Sequence, residues 1–182
     1  MKKSRVFIRT YEDIGILDKE YHSGRKTKKS LIYRLNRRTK EAIDSIEKHF
    51  SGSPSLILDL GAADGLMPGM IKNMYPSALC IGVESSKELI ETNTDRRITL
   101  LHGNANNLTM DSNTVDIVLA AAVIEHMPDP EKFLREAKRA LKPHGLIILT
   151  SPVPFREKAA TMVGHLRDEQ HCNEIIYLLI SF

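Results

Sequence analysis

Between residues 55 and 150 the chain alternates short apolar blocks with stretches that are apolar on one side only. The blocks fall at 55–60, 78–83, 98–102, 115–120 and 146–150, and their large apolar side chains are those of strands buried on both faces. After the first block, residues 66–75 read as a helix, with Pro68 where an early helical turn tolerates it. Ser85 or Ser86 caps a shorter helix that runs to about Thr92. A third helix starts from Asp129 as N-cap and Pro130 as first residue, and Phe133, Leu134, Ala137, Ala140 and Leu141 form its apolar stripe. Strand and helix in repeated alternation predict an α/β protein with a parallel sheet.

Ahead of the first block, Ile32, Leu35, Ala42, Ile43, Ile46 and Phe50 keep to one side of a helix over 28–50, with Arg34, Arg37, Arg38 and Lys40 on the other. Ser51-Gly-Ser-Pro54 ends this basic amphipathic helix. Residues 1–27 show no sustained period and are read as irregular. The division expected is therefore an arm and helix over 1–53 and a main domain over 54–182.

Composition narrows the class. With 182 residues, 42% hydrophobic and 27% charged, the chain reads as one ordinary globule, and no apolar run approaches the roughly 20 residues of a membrane span. Cys80 and Cys172 lack metal or redox spacing, which points to a reducing, cytoplasmic address. The net charge of +3 is uneven: residues 1–50 hold 14 Lys and Arg against 7 Asp and Glu, and the remainder leans acidic. Such an arm suits an anionic partner or substrate, or is simply a solvated helix face.

The candidate chemistry lies where the first strand breaks into Asp59-Leu-Gly61-Ala-Ala63-Asp64-Gly65. Dinucleotide binding would require Gly-x-Gly-x-x-Gly, so that a pyrophosphate could approach the backbone, and that spacing is absent. Acidic Asp59 and Asp64 would repel phosphates but suit a ligand with an amine and a sulfonium. The stretch resembles motif I of the class I S-adenosylmethionine-dependent methyltransferases, Asp-x-Gly-x-Gly-x-Gly, with Ala63 in place of a glycine and narrowing the space above the loop. Glu84, about 20 residues on at the tip of the second strand, resembles motif II, where one carboxylate takes two ribose hydroxyls. Gly103-Asn104-Ala105 resembles the family's Gly-Asp-Ala, with the Asn104 amide oxygen left to accept from the adenine amino group. Ala121-Ala-Val-Ile-Glu125-His126-Met-Pro-Asp129-Pro130 resembles the passage after the fourth strand in the small-molecule group that includes the ubiquinone and menaquinone enzymes.

The resemblance implies a Rossmann-like doubly wound sheet of order 3-2-1-4-5, with S-adenosyl-L-methionine held by Asp59, Gly61, Ala63, Gly65, Glu84, Asn104, Ala105 and Ala121. The expected activity is methyl transfer to a small-molecule or lipid-like acceptor. If the acceptor is a hydroxyl, His126 is the candidate base, with Glu125 orienting it. Ala122 replaces the first acid of the Glu-x-x-Glu-His set found in some relatives, so no metal is expected, and the spacing of His165, His171 and Cys172 is not a ligand pattern. The alternatives are a non-catalytic S-adenosylmethionine-binding or partner module, or an RNA methyltransferase. Ala120-Ala-Ala-Val123 lacks the Pro-Pro-aromatic run that receives a flipped base, which argues against nucleic acid. Residues 173–182 resemble the helix that precedes the family's sixth and seventh strands, both expected to be missing. A truncated sheet would expose residues 146–150 as a free edge, inviting a homodimer.

Overall fold

The computed structural model describes residues 19–151 and 174–179. Two helices, α1 (Lys19–Thr27) and α2 (Lys29–His49), precede an alternating series: β1 (Leu56–Leu60), α3 (Leu66–Met74), β2 (Leu79–Glu84), α4 (Lys87–Glu91), β3 (Thr99–His102), β4 (Val115–Ala121), a 3-10 turn at Ile124–His126, α5 (Pro130–Ala140), β5 (Leu141–Ser151) and β6 (Glu174–Leu179). The strands form one sheet in the order β3-β2-β1-β4-β5-β6, and every pairing is parallel. The expected order of the first five strands is the one found.

Alternate strand residues feed two cores, which explains why the blocks are apolar throughout. Leu58, Leu60, Val118, Ala120, Ile147 and Leu149 join Phe133, Leu134 and Ala137 of α5 on one face. On the other, Ile57, Ile117, Leu119, Leu146 and Ile148 join Met67 and Ile71 of α3 and Ala42 and Ile46 of α2. The predicted caps are present: Ser86 Oγ accepts from the Leu89 N–H (3.3 Å) and Asp129 Oδ1 from the Lys132 N–H (2.9 Å). Gly82, inside β2, has no room for a side chain, since a Cβ there would overlap the Cβ of Ala62 and lie 2.6 Å from Leu100 Cδ2. Gly82→Ala is expected to cost about 1–3 kcal/mol in urea unfolding.

Three expectations are corrected. Residues 19–27 are helical rather than irregular. A helix of nine residues is marginal alone, and this one gains its stability from tertiary contacts, so periodicity carries little of its signal. Gly24 lets it approach α2 so closely that a Cβ would come within 2.9 Å of Leu31 Cδ1.

Glu174–Leu179, expected as helix, is strand β6, in register with β5 from Leu146↔Glu174 to Ser151↔Leu179. The run Ile175-Ile-Tyr-Leu is rich in residues that favour strands, and it has no polar face for a surface helix. The edge of β5 expected to be free is therefore occupied, which removes the premise for dimerisation through it.

The third concerns the fifth strand, expected to start at residue 146. β5 already pairs at Leu141↔Val115, then shifts register before Leu146↔Ile117. His144 takes φ +67° in this bulge, the left-handed conformation that a glycine would supply without strain. No helix among the described residues is long and apolar enough to cross a membrane.

Candidate active site

The carboxyl end of β1 turns sharply at Gly61, whose N–H donates to the Val83 carbonyl at 2.8 Å, while the Gly65 N–H closes the loop onto the Ala62 carbonyl at 2.9 Å. Gly61 and Gly65 have φ of +75° and +79°, so both need the conformational freedom of glycine. Ala63, in a glycine's place, also has positive φ (+51°). It is held there by the hydrogen bond from its N–H to Glu84 Oε2 (2.9 Å). A Cβ on Gly61 would overlap the Val123 side chain, so the connection after β4 passes directly over the glycine loop.

Three carboxylates converge at this corner: Asp59, Asp64 and Glu84 are 3%, 3% and 6% exposed. Glu84 Oε1 accepts from the Ser86 N–H (2.9 Å) and Ser85 Oγ (3.1 Å), so one side chain orders both its own strand end and the glycine loop. Burial pushes the Asp59 carboxyl up to about 7, with Arg25 opposing the rise and Glu84 adding to it. Asp64, whose side chain is fully buried, is paired with Arg25 (3.6 Å) and Lys26 (3.2 Å) of α1. The basic arm thus reaches the glycine loop itself. Removing both cations takes two ion-pair partners from a buried carboxylate, and R25A/K26A is expected to lose roughly 3 kcal/mol in urea unfolding.

Asn104, Ala105 and Ala121 lie at the carboxyl ends of β3 and β4 beside this corner. Asn104 Oδ1 accepts from the Asn106 N–H at 2.8 Å, and Ala105 packs against the core. Asn106 was not legible as a site residue, yet it is buried and its Oδ1 receives no hydrogen bond among the described residues. His126 is exposed on the 3-10 turn. Neighbouring Glu125 is half-buried and faces Arg38 of α2. No group of three or more His, Cys, Asp and Glu side chains among the described residues is arranged to hold a metal, and His165, His171 and Cys172 lie outside them. A cavity of about 310 Å³ lies at the opposite, amino ends of β4 and β5, between His49, Asp116, Lys142 and His144. Ligands of doubly wound sheets lie at the carboxyl ends of the strands, which makes the acidic corner the candidate site.

Residues 58–149, just over half of the chain, match the family described as methyltransferase domain. The chain belongs to the class I S-adenosylmethionine-dependent methyltransferases. A demethylmenaquinone methyltransferase of Staphylococcus saprophyticus is 33% identical over 103 residues, covering 54% of this chain and 44% of its own length. A chloroplastic 2-methyl-6-phytyl-1,4-hydroquinone methyltransferase of Spinacia oleracea is 30% identical over 102 residues, covering 54% of this chain and 30% of its own length. The matched stretch is thus less than half of either relative. Among solved structures, the YcgJ protein of Bacillus subtilis shares the fold at a TM-score of 0.54 and 24% identity, over 76% of this chain and 62% of that one.

Proposed function

We propose that the chain binds S-adenosylmethionine at the acidic corner and transfers its methyl group to a small-molecule or lipid-like acceptor. The observation that carries this reading is the pairing of buried Asp59 and Glu84 at the ends of adjacent strands, with the loop amide of Ala63 tied to Glu84. When bound, the cofactor supplies an activated methyl group on a sulfonium. In-line displacement then needs mainly a positioned acceptor.

The chain's own groups divide the work. Gly61, Ala63 and Gly65 shape the loop over which the amino-acid end of the cofactor lies, and Asp59 receives its ammonium. A carboxylate has about four acceptor sites. Glu84 uses three, and the Ser85 hydroxyl, at 3.1 Å the longest of its contacts, is the one that ribose hydroxyls displace. Asn104 keeps a free lone pair for the adenine amino group, and Asn106 Oδ1 is a second acceptor for it. Ala105 and Ala121 line the cleft without polar contacts of their own.

The N-terminal helices close the cleft on the acceptor side, α1 through Asp64 and α2 through Arg38. The acceptor class takes support from the quinone-type compounds in the relatives' names. The test is untargeted mass spectrometry of products formed from methyl-labelled cofactor and a whole-cell extract that includes both small molecules and RNA. New labelled small molecules or lipids are the expected result. Cofactor binding with no labelled product would favour the non-catalytic module, and label in RNA alone would favour the nucleic-acid reading.

A further inference from the structure

Beyond the cofactor corner, several side-chain polar atoms, among them Glu41 Oε2, Tyr75 Oη and Ser151 Oγ, are buried without a hydrogen bond among the described residues, and one more belongs to the connection that crosses the glycine loop. Glu125 Oε2 is shielded from solvent and receives no hydrogen bond among the described residues. An unpaired buried carboxylate oxygen costs about 1–3 kcal/mol or more, and such groups in native proteins mark strain, an unseen ligand or a catalytic role. The nearest residue at positive φ is Ala122 (+56°), three positions earlier, and Glu125 itself sits in the 3-10 turn. Ile124 is fully buried in the core, and the turn is closed by the His126 N–H on the Val123 carbonyl (2.9 Å) and the Met127 N–H on the Ile124 carbonyl (3.2 Å). The backbone on either side of Glu125 is therefore fixed.

Its place is equally well defined. Val123, two residues earlier, covers Gly61, so Glu125 lies within about 7 Å of chain from the glycine loop. The charged groups that face it are His126 on its own turn and Arg38 from α2. His126, the other candidate base, is exposed to solvent.

We propose that Glu125 is the catalytic base of this methyltransferase and that its acceptor is a hydroxyl compound. The inference rests on the methyl-transfer reading above. A hydroxyl oxygen that attacks a methyl carbon while still protonated becomes a positively charged ether, so a base nearby is of direct use; a free amine or a thiolate has no such need. In the step, an oxygen lone pair forms the bond to the methyl carbon as the carbon–sulfur bond breaks. The electron pair of that bond stays on sulfur, leaving a neutral thioether, and the hydroxyl proton passes to Glu125 Oε2. The resulting carboxylic acid is the uncharged form that a dry site favours. Burial pushes the Glu125 carboxyl up, against the opposing pull of its own backbone N–H, His126 and Arg38, which makes it a stronger base than an exposed glutamate.

The test uses the full chain, methyl-labelled cofactor and a small-molecule cell extract as acceptor probe. Wild type is compared with E125Q and E125D. Wild type is expected to form labelled methyl ethers, with E125Q at least 100-fold slower in kcat and E125D between the two. S-adenosylhomocysteine affinity and melting temperature should stay close to wild type, which separates lost chemistry from lost folding. The rise of the wild-type rate with pH that accompanies Glu125 ionisation should be absent in E125Q; His126 and Arg38 are common to both. Product formed by E125Q at the wild-type rate, or label found only on nitrogen or sulfur, would overturn the proposal while leaving methyl transfer intact. No labelled product from wild type would overturn the functional reading, and this inference with it.

Discussion

Replacing Glu84 with alanine is expected to weaken cofactor binding by 10- to 100-fold or more and to lower stability at the same time. The contact to ribose is one part of that loss, on the order of 1–3 kcal/mol for hydrogen bonds to a charged acceptor. The larger part follows from what Glu84 does in the free protein. Its two oxygens hold the amides of Ala63 and Ser86, so truncation leaves both N–H groups without their partner and removes the anchor that keeps Ala63 at positive φ. Glu84→Gln separates the two parts, because its single carbonyl oxygen can hold one amide but not both. Calorimetry with S-adenosylhomocysteine and urea unfolding of the two variants measure the effects. Equal affinity in E84A and wild type would remove Glu84 from the site.

Asp59→Asn is expected to abolish tight cofactor binding while making the free protein more stable at pH 8. The sign follows from the shift. The folded carboxyl titrates near 7 against an ordinary 3.8, so stability falls as pH rises between those values, where the unfolded chain ionises first. Above 7 the full penalty is present, at most about 4 kcal/mol for a shift of this size. Asparagine removes it, and the variant should lose that part of the pH dependence in denaturant melts at pH 5 and pH 8. A cationic ligand reverses the preference, since it favours the ionised acid. Wild-type affinity should therefore be about tenfold weaker at pH 6 than at pH 8, with protons released on binding near pH 6. Loss of Arg25, the cation that opposes the shift, should move the midpoint upward.

The glycine loop and Glu84 were legible because they depend on local rules: a buried strand, a turn that only glycine enters freely, and an acid at the next strand's tip; the order of the first five strands came from the family resemblance. The features that were not legible depend on contacts between distant parts of the chain. Arg25 and Lys26 look like any basic surface pair until the fold brings them to Asp64. Residues 174–179 gave an apolar run too short for periodicity to decide between helix and strand, and pairing with β5 decides it. Asn106 and Glu125 are ordinary polar residues in sequence. Each has one side-chain oxygen buried without a hydrogen bond among the described residues, and no pattern of residue types encodes that. Ala63 carries a weaker signal: it stands where the family uses glycine, and it adopts positive φ.

The most direct measurement is a calorimetric titration of the purified 182-residue chain with S-adenosylhomocysteine, with NADH as the comparison. The account predicts saturable, single-site binding that strengthens from pH 6 to pH 8, is lost in D59N and E84A, and is absent for NADH, whose pyrophosphate the acidic corner repels. Absence of binding to wild type, or equal binding of NADH, would contradict it.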